Sequence, residues 1–182
     1  RSATGGRDPR LPGGFGRFLV PRAVFLHPSA RVDYRFYLVN AVFLSYVKLT
    51  ARVSGLVGLL HVSDFVTSWC EGLIGPAGGE AGLGAKVLYT LALVLTLDFA
   101  KFLAHFLQHK VPVLWEFHKV HHSAEVLTPV TNFRLHPVDV VLEQILAALA
   151  GGVVAGIFAS RYPAGVAELT ILNIGAIYFV YF

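Results

Sequence analysis

Residues Val87–Lys110 read VLYTLALVLTLDFAKFLAHFLQHK. From Val87 to Leu97 the stretch carries no charge, and beyond it apolar side chains continue around Asp98, Lys101, His105 and His109. That pattern predicts a helix that crosses hydrocarbon and leaves it through a histidine pair. At about 100° per residue, His105 and His109 fall about 40° apart on one face, one turn along.

The next residues extend the theme. Pro112 breaks the helix, and His118-x2-His121-His122 follows. On a second short helix His118 and His122 are again about 40° apart, with His121 about 60° to the other side. Eight His occur in the chain, and five lie between positions 105 and 122. Two helices joined at Pro112 can therefore aim five imidazoles at one volume. Neutral imidazole suits iron, copper, zinc or nickel. Asp98 lies seven residues before His105, about 20° away on the same face, where a carboxylate can orient an imidazole through its second nitrogen. Isolated His27 and His61 read as interfacial side chains.

The rest of the chain sets the surroundings. Of 182 residues, 55% are hydrophobic and 14% charged, with a mean hydropathy of +0.62. Soluble domains carry about a quarter charged residues, so a water-soluble fold is excluded, and disorder with it. The expected fold is all-α: an integral membrane helical bundle with a histidine-rich metal-binding cap. Four apolar segments stand out: Phe36–Leu60, Ala81–Leu103, Val138–Ser160 and Ala164 to the end. Each is near the ~20 residues a spanning helix needs. The first carries Lys48 and Arg52 near its middle, so it either spans with those groups facing protein or snorkelling, or lies in the interface. In the third, Ala148, Gly152 and Gly156 recur every four residues, a spacing that lets another helix approach closely.

Charge gives orientation. Residues 1–35 hold seven Arg against Asp8 and Asp33 and read as a basic interfacial lead-in to a membrane domain over 36–182. The 61–80 connection has no Lys or Arg, whereas 104–137 has Lys110, Lys119 and Arg134. Under the positive-inside rule the N-terminus and the histidine segment are expected on the cytoplasmic side. No aromatic–basic alternation supports a nucleic-acid partner. Cys70 is the sole cysteine, which excludes an internal disulfide. The Gly75–Gly84 stretch lacks the phosphate-loop pattern.

Several chemistries are excluded by motif. His-Glu-x2-His and His-x2-Glu-His are absent, as is the Gly-x-Ser-x-Gly elbow. No Glu has a His three residues later, as the soluble di-iron bundle requires. A nitrogen-rich, carboxylate-poor site at a membrane face remains.

Asp98–His109 (DFAKFLAHFLQH) and Val113–Ser123 (VLWEFHKVHHS) closely resemble the fatty acid hydroxylase/sterol desaturase superfamily. Asn132–Pro137 (NFRLHP) resembles the segment that commonly follows its histidine boxes, so the match spans 98–137. The resemblance implies a membrane protein with a His-ligated di-iron centre that hydroxylates or desaturates a fatty acyl or sterol lipid. It uses O2 and electrons from an external donor, cytochrome b5-like or ferredoxin-like. By the same resemblance His105, His109, His118, His121 and His122 are metal ligands, while His136 and Arg134 line the site or back its ligands. The family has a third box of the His-x2-His-His kind after a further membrane segment. No His follows His136, no Met is present, and the chain stops within an apolar run. The expectation is a fragment whose third box lies past Phe182, and which falls short of a two-iron ligand set by itself. Two other readings stay open at this point: a membrane electron carrier holding haem between His pairs, and a non-catalytic protein with zinc in the histidine site.

Overall fold

The computed structural model describes residues 19–75 and 77–162, whose regular elements are all helices, with no strand among them. Helix α1 (Arg22–Phe25) is one turn. Helix α2 (Pro28–Ile74) has 47 residues, α3 (Leu83–Lys110) 28, α4 (Pro112–His122) 11 and α5 (Pro137–Ala159) 23. A 3-10 turn at Thr131–Phe133 lies between α4 and α5.

Local chemistry sets the ends. Pro28 opens α2 behind His27, whose Nδ1 accepts from Ser29 N at 3.2 Å. Proline at the first turn lacks only an N–H that would have had no intrahelical partner. The helix stops at Gly75, whose φ of 77° is a left-handed conformation that glycine adopts without strain.

Between those ends the structure departs from the sequence reading. The polarity of 61–80 predicts a connection after Leu60, whereas the helix continues to Ile74. His61, Asp64 and Glu71 lower hydropathy without breaking a helix, and residues 61–74 contain no proline and only Gly72. The connection is correspondingly short, from Gly75 to Gly82. At 1.5 Å per residue α2 extends about 70 Å, more than twice the hydrocarbon thickness. Its membrane-compatible part is Ser45–Ile74, shifted toward the C-terminus of the expected segment.

Among the described residues, Leu83–Lys110 and Pro137–Ala159 are also long and apolar enough to cross a membrane, close to the expected second and third segments. The expected fourth, Ala164 onward, lies outside the described residues.

Helix α5 packs against both α2 and α3. Leu59 of α2, Tyr89, Leu93 and Leu97 of α3, and Ala148 and Ala155 of α5 form the core. The small-residue spacing does what it implies. A Cβ on Gly152 would lie 2.7 Å from Val62 Cβ and 2.8 Å from the Leu59 carbonyl oxygen. One on Gly156 would lie 2.6 Å from both the Ser63 carbonyl oxygen and Val66 Cβ. Thr67 Oγ1 adds a 3.1 Å hydrogen bond to the Gly156 carbonyl across the seam. Outward faces remain apolar, with Val141, Ile145, Leu149, Val153 and Ile157 exposed every fourth residue along α5. Such a stripe suits lipid rather than water.

Candidate metal centre

The site is built at the junction of α3 and α4. Val111 precedes a proline and takes the extended conformation such residues favour (φ −95°, ψ 115°). Its N–H still donates to the Leu107 carbonyl at 2.8 Å, and its own carbonyl accepts from Trp115 N at 2.9 Å. The chain therefore changes direction without stranding backbone groups, and α4 turns its histidines back toward those of α3.

Four imidazoles meet there. His105, His109, His118 and His122 each present a ring nitrogen, and these lie within 4.8 Å of one another. Within α3 the Nε2 atoms of His105 and His109 are 3.1 Å apart; within α4 those of His118 and His122 are 3.2 Å apart. Between helices, His105 faces His118 with ring centroids 4.7 Å apart and His109 faces His122 at the same distance. Four nitrogens around one cation at about 2.0–2.1 Å would be separated by about 3–4 Å. Only one hydrogen bond can form between two facing Nε2 atoms, whereas a shared cation satisfies every lone pair. The donor set therefore fits a metal that accepts nitrogen ligands.

Trp115 closes one side of the cluster, its ring centroid 5.4 Å from His109, 5.8 Å from His122 and 6.4 Å from His118. On the other side lies Asp139, buried at 3% exposure. Its Oδ1 is 3.6 Å from His118 Nδ1, a buried nitrogen with no hydrogen-bond partner. The carboxylate is held by Gln108 Nε2 at 3.0 Å and the His136 backbone N–H at 3.1 Å. His118, 2% exposed, is held down to about 4 by burial, which outweighs the opposing pull of Asp139; His105, His122 and His109 push it further down. It is thus neutral, the form in which imidazole binds metal, far below physiological pH. His122 is also lowered, first by desolvation and then by His109, His121 and His105.

His121 takes another position. Its half-buried ring lies 5.6 Å from that of His118 and 5.2 Å from that of His122, and it is outside the four converged nitrogens. The helical offset explains this: His121 projects to the opposite side of His118 from His122. Its Nδ1 is buried without a hydrogen-bond partner, and it lines a cavity of about 310 Å³ with His105, His118, Gln108, Asp139 and Arg52.

The three residues expected to back the site are dispersed. Asp98 is exposed on α3. His136 caps α5, accepting from Val138 N at 3.2 Å, and its ring packs 4.9 Å from Phe117. Arg134 is 3% exposed and paired with Asp33, itself 0% exposed. Its guanidinium also donates to Ser123 Oγ at 3.0 Å and the Ser29 carbonyl at 2.9 Å, while Thr131 Oγ1 donates to Asp33 at 2.7 Å. Arg134 thereby ties the loop after α4 to the start of α2. His27 caps that same start, and His61 is exposed.

Asp139 and Gln108 were not singled out by sequence reasoning. A signal for Asp139 exists: His136-Pro137-x-Asp139 places an acid at the third position of a proline-started helix, where it bonds back to the cap. Nothing in the sequence says that this cap faces His118.

A family model described as fatty acid hydroxylase matches residues 90–180, half of the chain and inclusive of every residue of the cluster. No curated protein and no solved structure matches the chain.

Proposed function

Because the chain belongs to the fatty acid hydroxylase family, we propose that it is the metal-binding part of a membrane oxidoreductase that hydroxylates or desaturates a lipid chain with O2 and an external electron donor. The observation that carries this reading is the convergence of four imidazole nitrogens within 4.8 Å at the end of a membrane-compatible helix. His105, His109, His118 and His122 would hold iron, with His121 positioned for a neighbouring ligand role. Bound iron supplies redox power that no side chain has, enough to attack an unactivated C–H bond. A cytochrome b5-like or ferredoxin-like partner supplies the electrons. Overall, hydroxylation consumes O2, two electrons and two protons, and yields an alcohol and water; desaturation yields an alkene and two waters.

The chain's own groups have defined tasks. Asp139 faces the second nitrogen of His118 and favours the tautomer that leaves Nε2 free to ligate. Gln108 holds that carboxylate in place. Trp115 shields the cluster from water on one side. The 310 Å³ cavity leaves space for a substrate beside His105 and His118. No Lys or Arg occurs between Arg52 and Lys86, whereas Lys110, Lys119 and Arg134 fall within the 104–137 segment that carries the histidines, which favours a cytoplasmic site.

A haem carrier suits this geometry poorly, because four rings crowded into one volume leave no slot for a macrocycle. The decisive experiment uses the complete protein in bilayers with reductant, electron donor and O2, and reads lipid products by mass spectrometry. Gain of one oxygen or loss of two hydrogens is expected, and His118→Ala abolishes it. Retained turnover in that variant would remove the ligand assignment. Stoichiometric zinc with no product under these conditions would favour a structural metal site.

A further inference from the structure

Helix α3 runs from Leu83 to Lys110. At 1.5 Å per residue, a hydrocarbon layer of ~30 Å takes up about 20 residues, so a layer that begins at Leu83 ends near Leu103. Ending it at Asp98 would leave only about 22 Å. Neither Asp98 nor Lys101 is without a partner, and Lys101 lines the polar cavity with Arg52, Asp139 and Glu143. Helix α5 gives the same boundary independently. Its 23 residues extend about 33 Å, and Asp139, which faces His118, is the third of them. His105 and His109 follow Leu103 at about 3 and 9 Å, the depth of the headgroup layer.

The adjoining face of α3 is apolar and uncovered. Leu88, Leu91, Leu95, Phe99, Phe102 and Phe106 recur at three- and four-residue steps, and all are exposed. The three phenylalanine rings stand in file, with centroids 6.3 and 6.1 Å apart. Lys110 closes the file, its ammonium 5.7 Å from the Phe106 centroid. It is exposed and makes no ion pair among the described residues. A lysine whose stem lies along an apolar face can extend its ammonium to the lipid phosphates. On α4 the exposed Lys119 and Glu116 pair with one another, so Lys110 is the uncompensated charge at this rim. The histidines border the same face: His109 lies seven residues after Phe102, about 20° round the helix. Of the four converged imidazoles only His118 is buried.

We propose that Phe99, Phe102, Phe106 and Lys110 form a docking surface for anionic phospholipid, with the phosphate at the Lys110 ammonium and the histidine cluster held in the headgroup layer beside it. Continuity selects lipid over a second protein, because this face prolongs the exposed apolar stripe of a membrane-compatible helix. Charge selects the headgroup, since a lysine at the surface favours a net anionic lipid over a zwitterionic one. The exposed rim of His105, His109 and His122 then opens at the bilayer edge rather than into bulk water. The inference stands apart from the oxidoreductase reading and holds for whatever metal the histidines take.

The test uses the complete protein loaded with diamagnetic zinc, in vesicles of phosphatidylcholine with and without phosphatidylglycerol. Single nitroxide labels are placed at Leu91→Cys, Phe102→Cys, Phe106→Cys and Glu116→Cys, in a cysteine-free background that includes Cys70→Ser. Each reports its collisions with oxygen, which concentrates in hydrocarbon, and with a water-soluble nickel chelate. Oxygen is expected to dominate at Leu91 and nickel at Glu116, with the balance point between Phe102 and Phe106; two sites guard against the loss of one variant to misfolding. A label at both sites as open to nickel as Glu116 would put the cluster in water. One as open to oxygen as Leu91 would put it in hydrocarbon, and one closed to both reagents would put protein against this face. Each of these overturns the proposal. A second measurement reads the preference of the protein for spin-labelled phosphatidylglycerol over phosphatidylcholine. Lys110→Gln is expected to cut it by up to about fivefold, the worth of one lysine at an anionic membrane, and Lys110→Arg to keep it, with melting temperature and zinc content unchanged in both. A preference that survives Lys110→Gln removes the phosphate from Lys110 and overturns the docking surface.

Discussion

The polar end of the molecule and the α2–α5 seam both hold α2 against later parts of the chain, but by different means. At the polar end, Asp33 and Ser29 of α2 meet Arg134 and Thr131 through buried, directional bonds between charged and hydroxyl groups. Along the seam, Gly152 and Gly156 meet Leu59, Val62, Ser63 and Val66 by shape, with one side-chain hydrogen bond from Thr67. Removing one partner of a buried ion pair strands the other, whereas crowding a seam displaces a whole helix. The histidine cluster sits nearer the first kind of support. Its histidines come from one local hairpin, yet Asp139, which faces His118, comes from α5 and depends on that helix being in place.

Substitutions can separate these contributions. The largest effect is expected for Arg134→Met, which leaves Asp33 buried and without its cation; loss of about 3–5 kcal/mol should appear as a lower melting temperature in detergent. An unchanged melting temperature would show that the polar end contributes little. Gly152→Val comes next. Its side chain meets backbone and a Cβ at under 3 Å, so about 1–3 kcal/mol should be lost, with metal content falling because α5 carries Asp139. If metal content holds while the fold loosens, the cluster is independent of the seam.

Asp139→Asn should leave the fold largely intact and weaken iron binding about ten- to hundredfold, as removal of a carboxylate behind a ligating imidazole commonly does. Titration of the metal-free protein with iron measures it; equal affinity would remove Asp139 from the site. The smallest effect is expected for Gly72→Ala. No atom lies within 4 Å of the added methyl, so the change should raise stability by up to about 1 kcal/mol through helix propensity alone. A loss there would mean that α2 makes a contact at Gly72 beyond the described residues.

Legibility followed the sequence distance over which each feature is made. The α3 and α4 histidines repeat at helical spacing around one proline, so their convergence could be anticipated from 18 residues of chain. The same angles gave no warning that His122 joins the cluster while His121 turns toward the cavity. Both fit the arc from α4 alone; the position of α3 separates them. Hydropathy does not mark the end of α2, because polar His61, Asp64 and Glu71 follow Leu60 while residues 61–74 contain no breaker. Asp98 and Asp139 exchange prominence for a related reason. Asp98 shares a face with His105 on one helix, but the carboxylate beside an imidazole is the one that a different helix delivers.

From the sequence alone came the lipid-compatible helices, the glycine spacing of α5 and the pairing of histidines about Pro112, because periodicity and apolar length are properties of short stretches. Tertiary structure alone decided which imidazoles meet, that Asp139 rather than Asp98 stands behind them, and that Arg52 lines the same cavity. Those arrangements depend on how α2, α3 and α5 cross. Crossing is set by the close approach at Gly152 and Gly156 and by the Asp33–Arg134 pair, contacts between residues some ninety or more positions apart.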